Sequence, residues 1–171
     1  MWYHDLMELE KLLLMKIRSR VGRRRWLDRS LAHAAVRGPL WFFAVMGWVF
    51  WIGGATGRWA VVQAVAAAVL TRGVNEVIGR IRHRDRPFVQ EGFQPLIEHR
   101  ASFSFPSNHS ACGFALAVAV LFGAPLYGAL MLAMAALMAY ARLYVGVHYP
   151  LDVLAGALIG TAVAWLVHLI A

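Results

Sequence analysis

The stretch Ala141–Asp152, ARLYVGVHYPLD, sets three polar side chains between two long apolar runs. Arg142 is followed six residues on by His148, and His148 four residues on by Asp152. Ionisable groups in such a setting are costly, and by default they mark a functional site. An Arg fork can hold phosphate oxygens, a His can attack phosphorus, and an Asp can fix the tautomer of that His. Pro150 cannot continue a helix, so the trio falls at a helix break, at the membrane surface rather than the bilayer centre. Taken alone, the stretch also reads as a snorkelling Arg and a capping Asp beside an ordinary interhelical turn. The rest of the chain decides between the two.

With 171 residues, 60% of them apolar and 15% charged, and a mean hydropathy of +0.57, the chain is too hydrophobic for an ordinary soluble domain. It reads as a single-domain, all-α integral membrane helix bundle. Its one cysteine, Cys112, cannot form an internal disulfide. The N-terminus carries charges of both signs and no signal-peptide pattern. Of 17 Lys and Arg, nine lie in residues 1–37 and five in 80–100. No soluble basic face is on offer for nucleic acid, so these cations are assigned to anionic membrane lipids and lipid phosphates.

Residues 4–21 lack a helix breaker and are too charged to span a bilayer. With Leu6, Leu9, Leu13 and Ile17 at helical spacing, they read as an interfacial amphipathic helix, though Glu10 and Arg20 blur that face. A short second helix over Leu27–Arg37 completes an N-terminal interfacial segment, 1–37, ahead of a membrane bundle, 38–171. Five transmembrane helices are expected. The first runs over Pro39–Ile52, borrowing turns upstream, and the second from Trp59 to about Gly79. The others are Pro106 to about Phe122, Leu126–Arg142 and Leu151–Ala171. Arg72, Asn75 and Glu76 in the second span imply that its C-terminal half lines a polar site, with Arg72 and Glu76 spaced to pair. Residues 80–105 exceed the usual connection length, which favours a functional loop.

This layout puts the loop, the Pro106-Ser107-Asn108-His109 turn and the Ala141–Asp152 stretch on one membrane face. Pro87 fixes the backbone beside Arg86. Ser107 and Asn108 open a helix whose first amides lack internal partners and favour an anion. Together these residues suggest phosphoryl transfer without a metal or other cofactor. His148 would attack phosphorus and Asp152 would orient it. His109 would serve as acid and then base. Arg86, Arg142 and the helix amides around Ser107 and Asn108 would hold the phosphoryl oxygens. No HExxH pattern occurs, and the arginines would repel a dication.

The three clusters resemble the signature of the type 2 phosphatidic acid phosphatase superfamily, K-x6-R-P, then P-S-G-H, then S-R-x5-H-x3-D. Here they read GRIRHRDRP from Gly79, PSNH from Pro106, and ARLYVGVHYPLD from Ala141. The resemblance covers roughly residues 59–171. Three positions depart: the signature Lys falls on Gly79, the Gly on Asn108 and the Ser on Ala141. The lysine's contact is then either missing or made by Arg80. Asn75, the compact layout and the VGVHYPLDV wording are most similar to the bacterial undecaprenyl-diphosphatase branch associated with bacitracin resistance. That branch implies hydrolysis of undecaprenyl diphosphate, to recycle the carrier lipid of cell-wall synthesis.

Two alternatives stand beside it. One is a broader lipid phosphatase acting on phosphatidate, phosphatidylglycerophosphate or another prenyl phosphate. The other is a non-enzymatic lipid-phosphate binder or transporter, which would have no need of His148 and Asp152 at this spacing. N-terminus and site share one face. The positive-inside rule places that face in the cytoplasm. The resemblance implies the extracytoplasmic face, which is the expectation adopted.

Overall fold

The computed structural model describes residues 2–171 and contains seven helices, with no strand among the described residues. They are α1 (Trp2–Arg18), α2 (Arg25–Ile52), α3 (Gly54–Ile81), α4 (Pro87–Gln90), α5 (Asn108–Gly123), α6 (Pro125–Tyr144) and α7 (Pro150–Ile170). Four of them, α2, α3, α6 and α7, are long and apolar enough to cross a membrane. The other apolar helix, α5, has only 16 residues, about 24 Å of rise.

The short helix is the axis of the bundle, packed against α3, α6 and α7. Its composition explains the position. Ala111, Ala115, Ala117, Ala119 and Val120 are buried and small enough to admit neighbours on every side. Gly160 of α7 is required at this crossing, since a Cβ there would collide with the Ala111 carbonyl. Phe42, Met46, Met131 and Met138 fill the remaining space. Large apolar side chains elsewhere point outward, Trp51, Leu126, Val69 and Leu158 among them. So much exposed apolar surface suits a bilayer and not water.

Two readings of the N-terminal third change. The short helix expected over Leu27–Arg37 is continuous with the following span, and Arg25–Ile52 forms one helix with Pro39 inside it. The boundary expected between residues 37 and 38 falls within that helix. In α1 the leucine stripe faces away from the bundle. Leu6, Leu9 and Leu13 are exposed, whereas Glu10 and Leu14 are buried. The helix is turned inward by what Glu10 and Arg18 bind. Arg18 donates to the Gln94 carbonyl at 3.1 Å and stacks on the Phe93 ring at 3.8 Å.

The 82–107 connection folds back over the ends of α3, α6 and α7. Leu96 and Ile97 pack on the cluster around Tyr144 and Val147, and the Leu96 N–H donates to the Val145 carbonyl at 3.1 Å.

Candidate active site

Backbone bonds join the pieces of the site. The Ser107 N–H donates to the Asp152 carbonyl at 2.9 Å, and Ser110 Oγ donates to the Val153 carbonyl at 2.8 Å. The start of α5 is thereby fixed to the start of α7. Ser107 is the N-cap of α5. Asn108 Oδ1 accepts from Asn75 Nδ2 at 3.0 Å, which ties α5 to α3 and bears out a polar C-terminal half for that helix.

His148 lies in the α6–α7 turn, 2% exposed. Arg86 Nη1 is 3.3 Å from its Nε2 and donates to the Val147 carbonyl at 2.8 Å. Arg86 Nη2 donates to Ser102 Oγ and to the Phe103 carbonyl, both at 3.1 Å. The guanidinium is therefore held in one plane against the imidazole. On the other side of the ring, Nδ1 stands 3.6 Å from Asp152 Oδ2. That is longer than a hydrogen bond, and catalytic contacts of this kind tighten when substrate fills the site. Asp152 Oδ2 is itself fixed, accepting the Tyr149 N–H at 2.7 Å. Burial, then Arg142 and Arg86, hold the His148 pKa well below the ordinary histidine value, so its resting form is neutral and nucleophilic. Burial lowers Arg86 to about 10, against the opposing pull of Asp152, and leaves it cationic at neutral pH.

Arg142 owes its position to a proline. Pro39 has no N–H to give the carbonyl four residues earlier, that of Ala35. Arg142 Nη1 donates to that freed carbonyl at 3.2 Å. Its Nη2 lies 2.9 Å from His99 Nε2. Both Arg86 and Arg142 keep a buried Nε with no partner among the described residues. His109, in the first turn of α5, is half-buried. It lines a cavity of about 360 Å³ that continues between Pro39, Phe42 and Val69.

Three participants are missing from the sequence reading. The basic run 80–100 reads as lipid-binding, but Arg84 Nη1 donates to Asp152 Oδ1 at 3.0 Å. Its Nη2 donates to Glu10 Oε1, and its guanidinium lies 4.0 Å over the Tyr149 ring. Glu10 also accepts the Leu151 N–H at 3.3 Å, so α1 contributes a carboxylate behind the site. His99 is the third. A signal for Glu10 exists in the sequence, since it interrupts the apolar spacing of a helix with no other reason to carry a charge there.

One expected contact is not made. Glu76 pairs with Arg80 at 3.0 Å, not with Arg72. Arg80, next to the position of the signature lysine, is engaged there and largely exposed. Gly79 has no room for that lysine, because any Cβ would strike the Phe103 ring.

Residues 59–171 match the PAP2 superfamily. The chain belongs to that superfamily. Among curated relatives, this PAP2 chain is 34% identical over 133 residues to YbjG of Escherichia coli K12, whose name makes it a candidate undecaprenyl-diphosphatase. It is 30% identical over 136 residues to the undecaprenyl-diphosphatase BcrC of Bacillus subtilis 168. Those alignments cover 77% and 80% of this chain, and 67% and 66% of the relatives' lengths. The chain thus spans about two thirds of these curated relatives. Among solved structures, LpxE of Aquifex aeolicus superposes with a TM-score of 0.79 at 27% identity, covering 94% of each chain.

Proposed function

We propose that this multi-pass membrane protein is a lipid-phosphate phosphatase, and that it hydrolyses undecaprenyl diphosphate to undecaprenyl phosphate and phosphate. The observation that carries the reading is the surroundings of His148: a neutral, buried imidazole with Arg86 at Nε2 and Asp152 behind Nδ1. The names of the relatives supply the substrate. In the first step Nε2 forms a bond to the terminal phosphorus while the bridging P–O bond breaks. Its electron pair leaves on the bridging oxygen, which takes a proton from His109. In the second step His109 deprotonates a water, the water oxygen bonds to phosphorus, and the N–P bond returns its pair to His148. Arg86, Arg142, Ser107 and Asn108 hold the equatorial oxygens, Ser107 through its hydroxyl, since its N–H is given to Asp152, and Asn108 through its amide at the α5 N-terminus. The unpartnered Nε atoms of the two arginines are donors for that purpose.

In this reading five helices, α2, α3, α5, α6 and α7, form the transmembrane set. The phosphatase bundle is residues 38–171, and 1–37 meets the membrane surface, with α2 running from one into the other. The exposed Leu6, Leu9, Leu12 and Leu13 then enter the lipid boundary. The site and α1 share the extracytoplasmic face. Phosphate release in detergent, from C55 diphosphate and from phosphatidate with chelator present, tests the reaction. Release from neither substrate contradicts it.

A further inference from the structure

The cavity beside His109 carries a charge that the reaction as written leaves unused. Arg72 lines it together with Asn108 and His109. The rest of its wall is largely apolar, with Phe43, Val69 and Leu116. Arg72 lies on α3 about 13.5 Å of helix rise before Ile81. Its expected partner Glu76 is engaged with Arg80. Among the described residues Arg72 has no hydrogen-bond or ion-pair partner. Its side chain is exposed on α3, toward the open cavity and the lipid-facing surface, and an arginine this far along a membrane helix is costly without an anion.

We propose that Arg72 binds the lipid-proximal phosphate of a lipid diphosphate and makes the site selective for diphosphates over monophosphates. This inference rests on the phosphatase reading above. The bond that breaks decides where this charge acts. His148 attacks from the Arg86 side and His109 meets the leaving oxygen, so the leaving group departs into the cavity that His109 lines. For a diphosphate the leaving group is a lipid phosphate, which gains charge as the bridging bond breaks. Its phosphate enters at the polar end of the cavity, between His109 and Arg72, with the first apolar units of the tail beyond. For a monophosphate the leaving group is an alcohol, which brings no charge to Arg72. Arg72 therefore stabilises charge that grows in the transition state, and its effect falls mainly on kcat.

The test compares the wild-type chain, Arg72→Gln and Arg72→Lys on a prenyl diphosphate and on the prenyl monophosphate of the same length, in detergent. Arg72→Gln is expected to lower kcat on the diphosphate by about 10- to 100-fold, the range of a charged hydrogen bond. Its rate on the monophosphate should stay within about twofold of wild type, which also shows that the variant is folded. Arg72→Lys should recover part of the diphosphate rate. Equal loss on both substrates, or no loss on either, overturns the assignment while leaving the phosphatase reading intact. A wild-type chain that hydrolyses neither substrate removes both.

Discussion

Arg84 Nη1 donates to Asp152 Oδ1 at 3.0 Å, while its Nη2 holds Glu10 of α1. The aspartate behind the nucleophile thus has a charge partner of its own, and that partner is anchored by the N-terminal helix. Asp152 is fully buried, so its carboxylate depends on such a partner. Arg84→Gln is expected to lower kcat by roughly 10- to 100-fold, with a smaller change in KM. Steady-state rates on C55 diphosphate read it. Wild-type kcat in a folded Arg84→Gln would show that Asp152 does not use this contact.

Glu10→Gln keeps the size of the side chain and removes its charge. The kcat loss should be smaller than for Arg84→Gln, because the Arg84–Asp152 bond remains. The attachment of α1 should weaken as well. Limited trypsin digestion at Arg18 and Arg20 is expected to speed up in this variant. Unchanged digestion would mean that Arg18 and Leu14 suffice to hold the helix.

The neutral resting state of His148 has a consequence for pH. Its pKa in the folded protein lies well below 6.5, from burial first and then from Arg142 and Arg86. Below about pH 6.5 the unfolded chain takes up a proton at this position and the folded chain does not. This site therefore costs stability as pH falls, and none at neutral pH. Histidine NMR in micelles should show His148 neutral through pH 6.5. Arg142→Gln removes a repelling cation, so its midpoint should move upward. A His148 midpoint at the ordinary histidine value in the wild type would contradict the electrostatics described.

A cradle of arginines and amides suits vanadate in its five-coordinate form, a mimic of the transferring phosphoryl group. Activity is expected to persist in excess EDTA and to fall with vanadate. Activity that requires an added divalent ion would contradict the phosphohistidine scheme.

Much of the site was legible in the sequence because local rules fix it. Ser107 caps α5, Pro150 opens α7, and spacing alone puts His148 and Asp152 at one break. What was not legible depends on long-range packing. Arg84 and Arg80 are alike in a basic run, and only the fold sends one to Asp152 and the other to Glu76. The face that α1 turns to the bundle is not marked by its leucines, which stay exposed; a buried ion pair and a cation stacked on Phe93 set it. The role of Pro39 was also hidden. It appears as a span boundary until the Ala35 carbonyl it frees is seen to hold Arg142.

In the proposed reaction His148 carries the phosphoryl group and His109 clears it. Each variant is incubated with substrate labelled at the terminal phosphorus, quenched in base, and assayed for label on protein. The lipid phosphate that leaves from a diphosphate departs fairly well unaided, so His109→Ala should still form the intermediate slowly and then fail to hydrolyse it. Asp152→Asn should retain an intermediate amount. The expected result is base-stable label on His109→Ala and none on His148→Ala, with both variants folded by detergent gel filtration. Base-stable label on a well-folded His148→Ala would contradict the assignment and move the nucleophile to another residue.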